Sequence, residues 1–257
     1  MAQDNPFGPA RDQTDTRAPL VSQVISALYE RQTTTQNGAR QVVVDYLLRA
    51  ATVNSSFDAT HVMEELRQFR LSVDAVVDLY IPQVARNMGE LWETSDIDFA
   101  TVTIGSLRLQ ALLNEASIAP PYANACPSDA PLALVVVAEG EHHFLGGSVV
   151  AAQMRRLGWD VSLSIAEEPT QITNRVIHDQ PDMVLISCAQ MRGLETIAQN
   201  VNSIRQATDP APAIALGGAI RGDIEDIRKK TGVDLVTKSA KDLVGFFAQR
   251  RKAKIRK

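Results

Sequence analysis

The stretch "LALVVVAEGEHHFLGGSVVAAQMRRLGWDVSLSI" (residues 132–165) decides the fold. A short apolar run, "LALVVVA", is followed by a polar loop, by an amphipathic segment that begins near Leu145, and by a second apolar run, "DVSLSI". Short apolar runs of this kind are typical of strands that are buried on both faces, and the segment between them has the length of a helix. The stretch therefore predicts a β-α-β unit with parallel strands.

The same alternation continues to the end of the chain. The apolar runs "DMVLIS", "AIALGG" and "VDLVT" follow, and helices are predicted from about Thr170, from about Leu194, as a short segment after "AIALGG", and from Ser239. Five strands, each followed by a helix, predict a doubly wound five-stranded parallel sheet. In such sheets ligands bind beyond the carboxyl ends of the strands, near the point where the strand order reverses.

The first half of the chain has helical spacing instead. In "ARQVVVDYLLRAA" the apolar residues recur at i, i+1, i+4 and i+5, which places them on one helix face. Helix starts are predicted at Ser55 or Ser56, at Ser72, and at Asp98. The helix from Ser72 contains Pro82, which we expect to kink it. Four or five helices with short connections predict an antiparallel bundle, and the fold class is α plus α/β.

Composition shifts define the predicted domains. Residues 1–18 contain almost no large apolar side chains and are predicted to be disordered. Residues 20–116 form the predicted bundle, and "SIAPPYANACPSDAP" (residues 117–131) has the composition of an interdomain linker. The predicted α/β domain covers residues 132–252.

The overall composition limits the class of protein. A net charge of −4 disfavours a generic nucleic-acid binder, and no run reaches the roughly 18 apolar residues of a membrane span. The amino terminus lacks the apolar core of a signal peptide. The two cysteines, Cys126 and Cys188, are typical of a reducing compartment. We expect a cytoplasmic protein without membrane contact.

Three loops would meet at the predicted ligand-binding edge of the sheet. They are "EGEHHFLGG" (residues 139–147) after the first strand, "SCAQMRG" after the third, and "GGAIRG" after the fourth. A phosphate cradle would need a G-x-G-x-x-G pattern, a serine hydrolase would need G-x-S-x-G, and zinc would need three or four closely placed ligands. The loops supply none of these. The polar residues therefore do not indicate hydrolytic catalysis.

A metal held in a macrocycle needs only one axial ligand from the protein, and His143 could supply it. Glu141 could then bind the other ring nitrogen and fix the tautomer, with Ser187 extending the hydrogen-bonded chain. Gly146 and Gly147 would leave room for a bulky cofactor near the backbone.

"EHHFLG" (residues 141–146) resembles the D-x-H-x-x-G signature of cobalamin-binding domains, with Glu141 in place of the usual Asp. The resemblance implies that His143 is the lower cobalt ligand and that Gly146 is the closing glycine of the signature.

The later loops resemble the same family. Ser187 matches the Ser of its S-x-L element, although Ala189 stands in place of Leu. Gly217 and Gly218 match the glycine pair that lines the slot for the nucleotide tail of the cofactor. The resemblance to cobalamin-binding domains covers roughly residues 131–250.

The helical half is similar to the four-helix bundle that covers the upper face of the corrin ring in many of these proteins. Trp92, in "GELW", stands where light-sensing adenosylcobalamin repressors have a capping Trp. Val102 and Thr103 stand where those repressors have a Glu–His pair. The resemblance thus implies that no imidazole of the bundle serves as an upper ligand.

"LWETSDIDFATVTIGSLRLQALL" (residues 91–113), together with the linker and "EHHFLG", resembles the AerR/PpaA family of cobalamin-binding antirepressors of photosynthesis genes. The resemblance implies a photoreceptor or redox regulator without catalytic activity, loaded with adenosylcobalamin or hydroxocobalamin. Its implied partner is a transcription repressor of the CrtJ/PpsR type. Residues 1–40 are too short for a winged helix-turn-helix, so direct DNA binding is disfavoured, and a homo-oligomer is compatible with the sequence.

Two alternatives stay open. A corrinoid carrier subunit of a methyltransferase system has the same bundle-plus-sheet layout. A haem-binding redox sensor with this fold could use His143 as its iron ligand, and Cys126 in "ACPS" forms a Cys-Pro pair of the kind that ligates haem in sensors.

Overall fold

The computed structural model describes residue 35 and residues 38–53, 56–118, 129–137, 144–188, 193–218 and 222–255. The predicted disordered segment, residues 1–18, lies outside these described residues, as does most of the predicted linker. The residues on either side of the linker form a helical part and an α/β part.

The helical part spans residues 41–118. Its elements are α1 (Gln41–Thr52), α2 (Ala59–Gln68), α3 (Val73–Ala75), a π-helical turn (Val76–Tyr80), α4 (Ile81–Glu93) and α5 (Phe99–Ile118). The apolar faces of these helices point inward, so that Leu47, Leu66 and Leu109 are fully buried in one core. Burial of these apolar faces stabilises the helices, because short helices are only marginally stable in isolation.

Helix caps follow the sequence at two of three predicted positions. The Ser72 hydroxyl accepts a hydrogen bond from the Ala75 amide at 3.1 Å, and the Asp98 carboxylate accepts one from the Thr101 amide at 2.8 Å. The predicted cap at Ser55 or Ser56 is wrong, because α2 is capped by Asp58, which accepts from the His61 amide at 3.0 Å. A carboxylate at this position also interacts favourably with the helix dipole.

The helix that contains Pro82 is preceded by a π-helical turn, which the sequence did not predict. This turn, Val76–Tyr80, lies between α3 and α4 just before Pro82, and the predicted kink stays a prediction. Proline has no amide hydrogen to donate to the preceding turn, so a locally wider helix accommodates it there.

The α/β part contains five described parallel strands, as predicted. They are β1 (Leu132–Val137), β2 (Asp160–Ile165), β3 (Met183–Ser187), β4 (Ala213–Gly217) and β5 (Leu235–Val236), in the order β2-β1-β3-β4-β5. The helices between and after them are α6 (Phe144–Arg156), α7 (Pro169–Asp179), α8 (Leu194–Ala207), α9 (Ile224–Thr231) and α10 (Ala240–Ile255). The predicted fold class is confirmed.

Helices cover both faces of the sheet. Apolar side chains of α7, α8 and α9 share one core with one face of the strands, and those of α6 and α10 share a second core with the other face. In the second core the rings of Trp159 and Phe247 meet edge to face, with centroids 4.7 Å apart. None of the described helices is long and apolar enough to span a bilayer.

The strand order reverses at β1. From β1 the chain crosses to β2 on one side, and β3 then pairs with β1 on the other side. The connections that leave the carboxyl ends of β1 and β3 therefore diverge, and they open a crevice between them. This crevice is the place in the fold where a ligand is expected.

Candidate functional site

The carboxyl ends of three central strands form the floor of the candidate site. Val137 of β1 is aligned with Ser187 of β3, and Ser187 is aligned with Gly217 of β4. Residues 138–143, with the predicted ligands Glu141 and His143, lie outside the described residues. The chain enters that stretch from Val137 and leaves it into Phe144, the first residue of α6. Both ends of the stretch are thus at the crevice.

Ser187 lies beneath the first turn of α6. Its Cβ is 3.9 Å from the position that a Cβ on Gly147 would occupy, and its side chain is half-buried. The Ser187 side chain therefore lies on the side of the sheet that carries α6, and Gly147 of that helix follows the predicted ligand His143 by four positions. The predicted hydrogen-bonded chain from the loop to Ser187 is compatible with this placement.

Gly146 and Gly147 have different surroundings. Gly146 is exposed, and among the described residues no atom lies within 4 Å of the position of a Cβ there. Gly147 is buried, and a Cβ on it would lie 2.6 Å from Cγ2 of Val137. Gly146 therefore leaves open space, whereas Gly147 allows α6 to pack closely on β1.

These two neighbours provide a matched pair of variants. We expect Gly147→Ala to lower the free energy of unfolding by about 1–3 kcal/mol, because α6 or Val137 must shift to relieve the contact. Gly146→Ala should leave it unchanged or raise it by less than about 1 kcal/mol, because alanine favours the helix and no described atom lies within 4 Å of the position of its Cβ. Urea unfolding of both variants measures the difference, and equal stabilities would contradict the assignment of the close contact to Gly147.

The glycine pair at the end of β4, Gly217 and Gly218, also has a role in packing. Gly218 has φ +117°, and a Cβ on it would lie 2.0 Å from the backbone oxygen of Cys188. The Cys188 amide donates to the Gly217 oxygen at 3.0 Å, which holds the two loops together. The glycines thus bring the end of β4 against the residue after β3. Ala189, the next predicted site residue, lies outside the described residues.

The structure adds Cys188 to the residues at this edge. The sequence indicated only a thiol in a reducing compartment, but the side chain is 5% exposed and lies next to Gly193 at the start of α8. Its position directly after a predicted site residue, Ser187, is the signal that could have pointed to it. Cys126, considered as a haem ligand, lies outside the described residues.

Trp92 lies in the last turn of α4 and is 47% exposed. It borders an open concave surface at one end of the bundle, whose lining comes from α1, the α4–α5 connection and α5: Thr52, Val53, Ser95, Asp96, Ile97, Asp98 and Thr101. A half-exposed indole on a concave surface is suited to contact a flat ring. We call this surface the Trp92 concavity.

The other two predicted residues of the bundle lie close by on α5. Val102 is half-buried, and the exposed Thr103 uses its hydroxyl to donate to the Phe99 oxygen at 2.8 Å. Neither side chain offers an imidazole to a metal. Within the Trp92 concavity, hydrogen bonds from the side chain and the backbone of Thr101 hold the pKa of Asp98 below its usual value, so this carboxylate is charged at neutral pH.

Among the described residues, no group of three or more His, Cys, Asp and Glu side chains is placed to hold a bare metal ion. The site geometry instead consists of a crevice, a hydroxyl at its floor, an exposed glycine beside it and a separate aromatic concavity on the bundle.

Comparison with known proteins identifies the family of the α/β part. Residues 131–244 match the model of the B12 binding domain family. Over 185 residues the chain is 30% identical to the "Uncharacterized 20.5 kDa protein in bchF-crtJ intergenic region" of Rhodobacter capsulatus, a match that covers 72% of this chain and 96% of the relative. The chain belongs to the B12-binding family.

Two further proteins are similar. The HTH-type transcriptional repressor CarA of Myxococcus xanthus is 26% identical over 200 residues, which are 77% of this chain and 65% of the repressor. The structure of the monomethylamine corrinoid protein of Methanosarcina barkeri superimposes with a TM-score of 0.63 at 13% identity, covering 78% of this chain and 92% of that one. The second similarity concerns the fold alone.

Proposed function

We propose that this protein is a cobalamin-binding regulator that acts through contact with a transcription repressor and has no catalytic activity of its own. The observation that carries the proposal is the position of the two elements that flank the stretch with His143. The stretch joins β1 to α6 at the crevice, on a domain of the B12-binding family, with Ser187 beneath the turn that follows it.

The described residues fit a large planar cofactor at this edge. Gly146 leaves open space beside the proposed ligand, and Ser187 is half-buried at the floor of the crevice. His143 would coordinate the cobalt through one ring nitrogen, and Glu141 would accept a hydrogen bond from the other. Such a carboxylate fixes the tautomer and raises the basicity of the ligand. Gly217, Gly218 and Ala189 would border the nucleotide tail.

The bundle would cover the other face of the ring. Trp92 is the aromatic side chain of the Trp92 concavity, and it would pack on the macrocycle, while Val102 and Thr103 would leave the upper position to a ligand from outside the bundle. Bound cobalamin would supply a cobalt centre whose upper ligand changes with light or redox state. The residues of the bundle would sense that change through contact.

The regulatory part of the proposal is supported by the two relatives. One is named for its place between bchF and crtJ in Rhodobacter capsulatus, and the other is a transcriptional repressor. We propose a repressor of the CrtJ/PpsR type as the partner and a change of bundle position as the signal that it recognises. A two-state element of this kind is a common means of transmitting a local ligand change.

The test is repressor binding to its operator in the presence of this protein. We expect the chain loaded with adenosylcobalamin or hydroxocobalamin to change repressor–operator affinity at least about tenfold, a coupling of about 1.4 kcal/mol, and the unloaded chain to have no effect. His143→Ala, treated in the same way with cofactor, serves as the control. Identical operator binding with loaded chain, unloaded chain and no chain, in darkness and in light, would contradict the proposal.

A second candidate function is that of a corrinoid carrier for a methyltransferase. The fold similarity to the monomethylamine corrinoid protein favours it. A methylated cofactor on this chain would then pass its methyl group to a thiol or to tetrahydrofolate when a partner methyltransferase is present. Methyl transfer in such an assay, together with no effect on the repressor, would select this function instead.

A further inference from the structure

One helix connects the bundle to the sheet. Leu145, Val149 and Ala152 on α6 are buried in the same apolar cluster as the inner faces of the bundle helices. The bundle core therefore continues onto α6, and α6 begins at Phe144, directly after the proposed cobalt ligand. A movement of the bundle relative to the sheet would therefore change its contacts with α6, the helix that follows the proposed cofactor loop.

The polar end of this interface is a cluster of four side chains. The Arg156 Nε lies 3.1 Å from Oδ1 of Asp74, and its Nη2 donates to Oδ1 of Asp78. The Gln153 amide nitrogen donates to the same Asp78 oxygen at 3.1 Å. Both acidic residues belong to the bundle, and both donors belong to the last turns of α6. We call this cluster the α6 latch.

Burial distinguishes the α6 latch from an ordinary surface ion pair. The Arg156 side chain is only 11% exposed, whereas those of Asp74 and Asp78 are 57% and 47% exposed. Exposed ion pairs contribute little, but a largely buried guanidinium depends on the carboxylates that compensate its charge. Loss of Arg156 would also leave two carboxylates close together without the cation between them.

The π-helical turn takes part in the same interface. Asp78 lies within it, Asp74 lies in α3 immediately before it, and the turn contacts α6. A π-helical turn rotates the following residues relative to a regular helix, and such turns occur often at functional sites. Here the turn carries Asp78, one of the two carboxylates that contact Arg156.

We propose that Arg156 is a positioning residue, which holds the bundle on α6 through Asp74 and Asp78 and thereby restrains the bundle relative to the helix that follows the proposed cofactor loop. The existence of the latch rests on the observed contacts. Its effect on the cofactor rests on the proposed function. A change in the loop before Phe144 would reach the bundle through α6, and the latch would set how easily the bundle moves in response.

The first test is hydrogen–deuterium exchange of the full chain without cofactor. We expect Arg156→Met, which keeps the apolar stem, to speed exchange about tenfold in residues 73–80 and in residues 144–156, because the docked state loses its buried ion pair. The control is Arg155→Met. Arg155 is also in the last turn of α6, but it donates to the Val161 oxygen at 2.7 Å within the sheet domain.

A charge exchange keeps the test decisive even if one variant is unstable. Arg156→Glu alone should loosen the same two segments more than Arg156→Met, and adding Asp78→Lys should restore most of the protection. Wild-type exchange rates in Arg156→Met, equal loosening by Arg155→Met, or no recovery in the double variant would each overturn the latch.

The second test separates positioning from folding. With hydroxocobalamin bound, we expect cyanide to replace the upper ligand several-fold faster in Arg156→Met than in the wild type or in Arg155→Met. The rate of replacement is measured by visible absorbance. Equal rates would overturn the positioning role. If the wild-type chain binds no hydroxocobalamin, the proposed function and this role of Arg156 both fail, while the exchange result still decides whether the latch exists.

Discussion

Replacement of His143 by alanine is expected to lower the affinity for hydroxocobalamin by at least about 100-fold. Loss of an outer-shell partner of a metal ligand already costs about 10–100-fold, and His143 is proposed to be the ligand itself. The same variant should lose the absorbance change that marks coordination of an imidazole to the cobalt. Titration followed by visible spectroscopy measures both effects.

The neighbouring histidine is the matched control. His142→Ala removes the same side chain one position earlier, and we expect it to retain both the affinity and the spectrum. Glu141→Gln should have an intermediate effect of about 10-fold, because it weakens the hydrogen bond to the ring without removing the ligand. A His142 variant that loses the spectrum while the His143 variant keeps it would contradict the proposed ligand.

Replacement of Gly218 by alanine is expected to have the largest effect on stability, a loss of about 2–5 kcal/mol in the free energy of unfolding. Two causes add. The φ of +117° suits only glycine, and the new Cβ would lie 2.0 Å from the Cys188 oxygen, an atom of the backbone that cannot rotate away. The end of β4 would have to separate from the residue after β3, which would also disturb the candidate site.

A second glycine separates these two causes. Gly158 also has a positive φ, +85°, but among the described residues no atom lies within 4 Å of the position of its Cβ. Gly158→Ala should therefore cost only the conformational part, about 1–2 kcal/mol. Chemical denaturation of both variants gives the comparison, and a Gly158 variant as unstable as the Gly218 variant would show that the contact with Cys188 contributes nothing.

The α/β fold could be predicted because its signals are local and repeated. The run "DVSLSI" became β2 with the same bounds, Asp160–Ile165, and each predicted strand is present in the described sheet. Continuous apolar runs separated by amphipathic segments have few other stable arrangements. Ser187 and Gly217 are aligned at the carboxyl ends of β3 and β4, which is the edge where the sequence predicted the ligand-binding loops.

The details of the site could be predicted only in part. The sequence assigned Gly147 to clearance for a cofactor and Gly218 to the slot for its tail, and both roles stay predictions. Among the described residues, the closest neighbours of these glycines are Val137 and Cys188. A glycine motif indicates that something approaches the backbone, but it does not identify the approaching atoms. The roles of His143 and Glu141 stay predictions.

Features that depend on tertiary contacts could not be predicted. The π-helical turn Val76–Tyr80 contacts α6, and no local sequence pattern predicted it. Arg156 is one of two adjacent cations in the last turn of α6. Its partners are 78 and 82 positions away in the chain, so no local pattern could reveal them.

The most direct test of cobalamin binding at His143 is the visible spectrum of the purified wild-type chain. The chain is incubated with hydroxocobalamin, adenosylcobalamin or haem, and unbound cofactor is removed. Spectra are then recorded in darkness and after illumination. The proposed function predicts that the chain retains an equimolar amount of cobalamin with a spectrum shifted from that of the free cofactor, and that it does not retain haem. Retention of haem with a His143-dependent spectrum, and of no cobalamin, would contradict it.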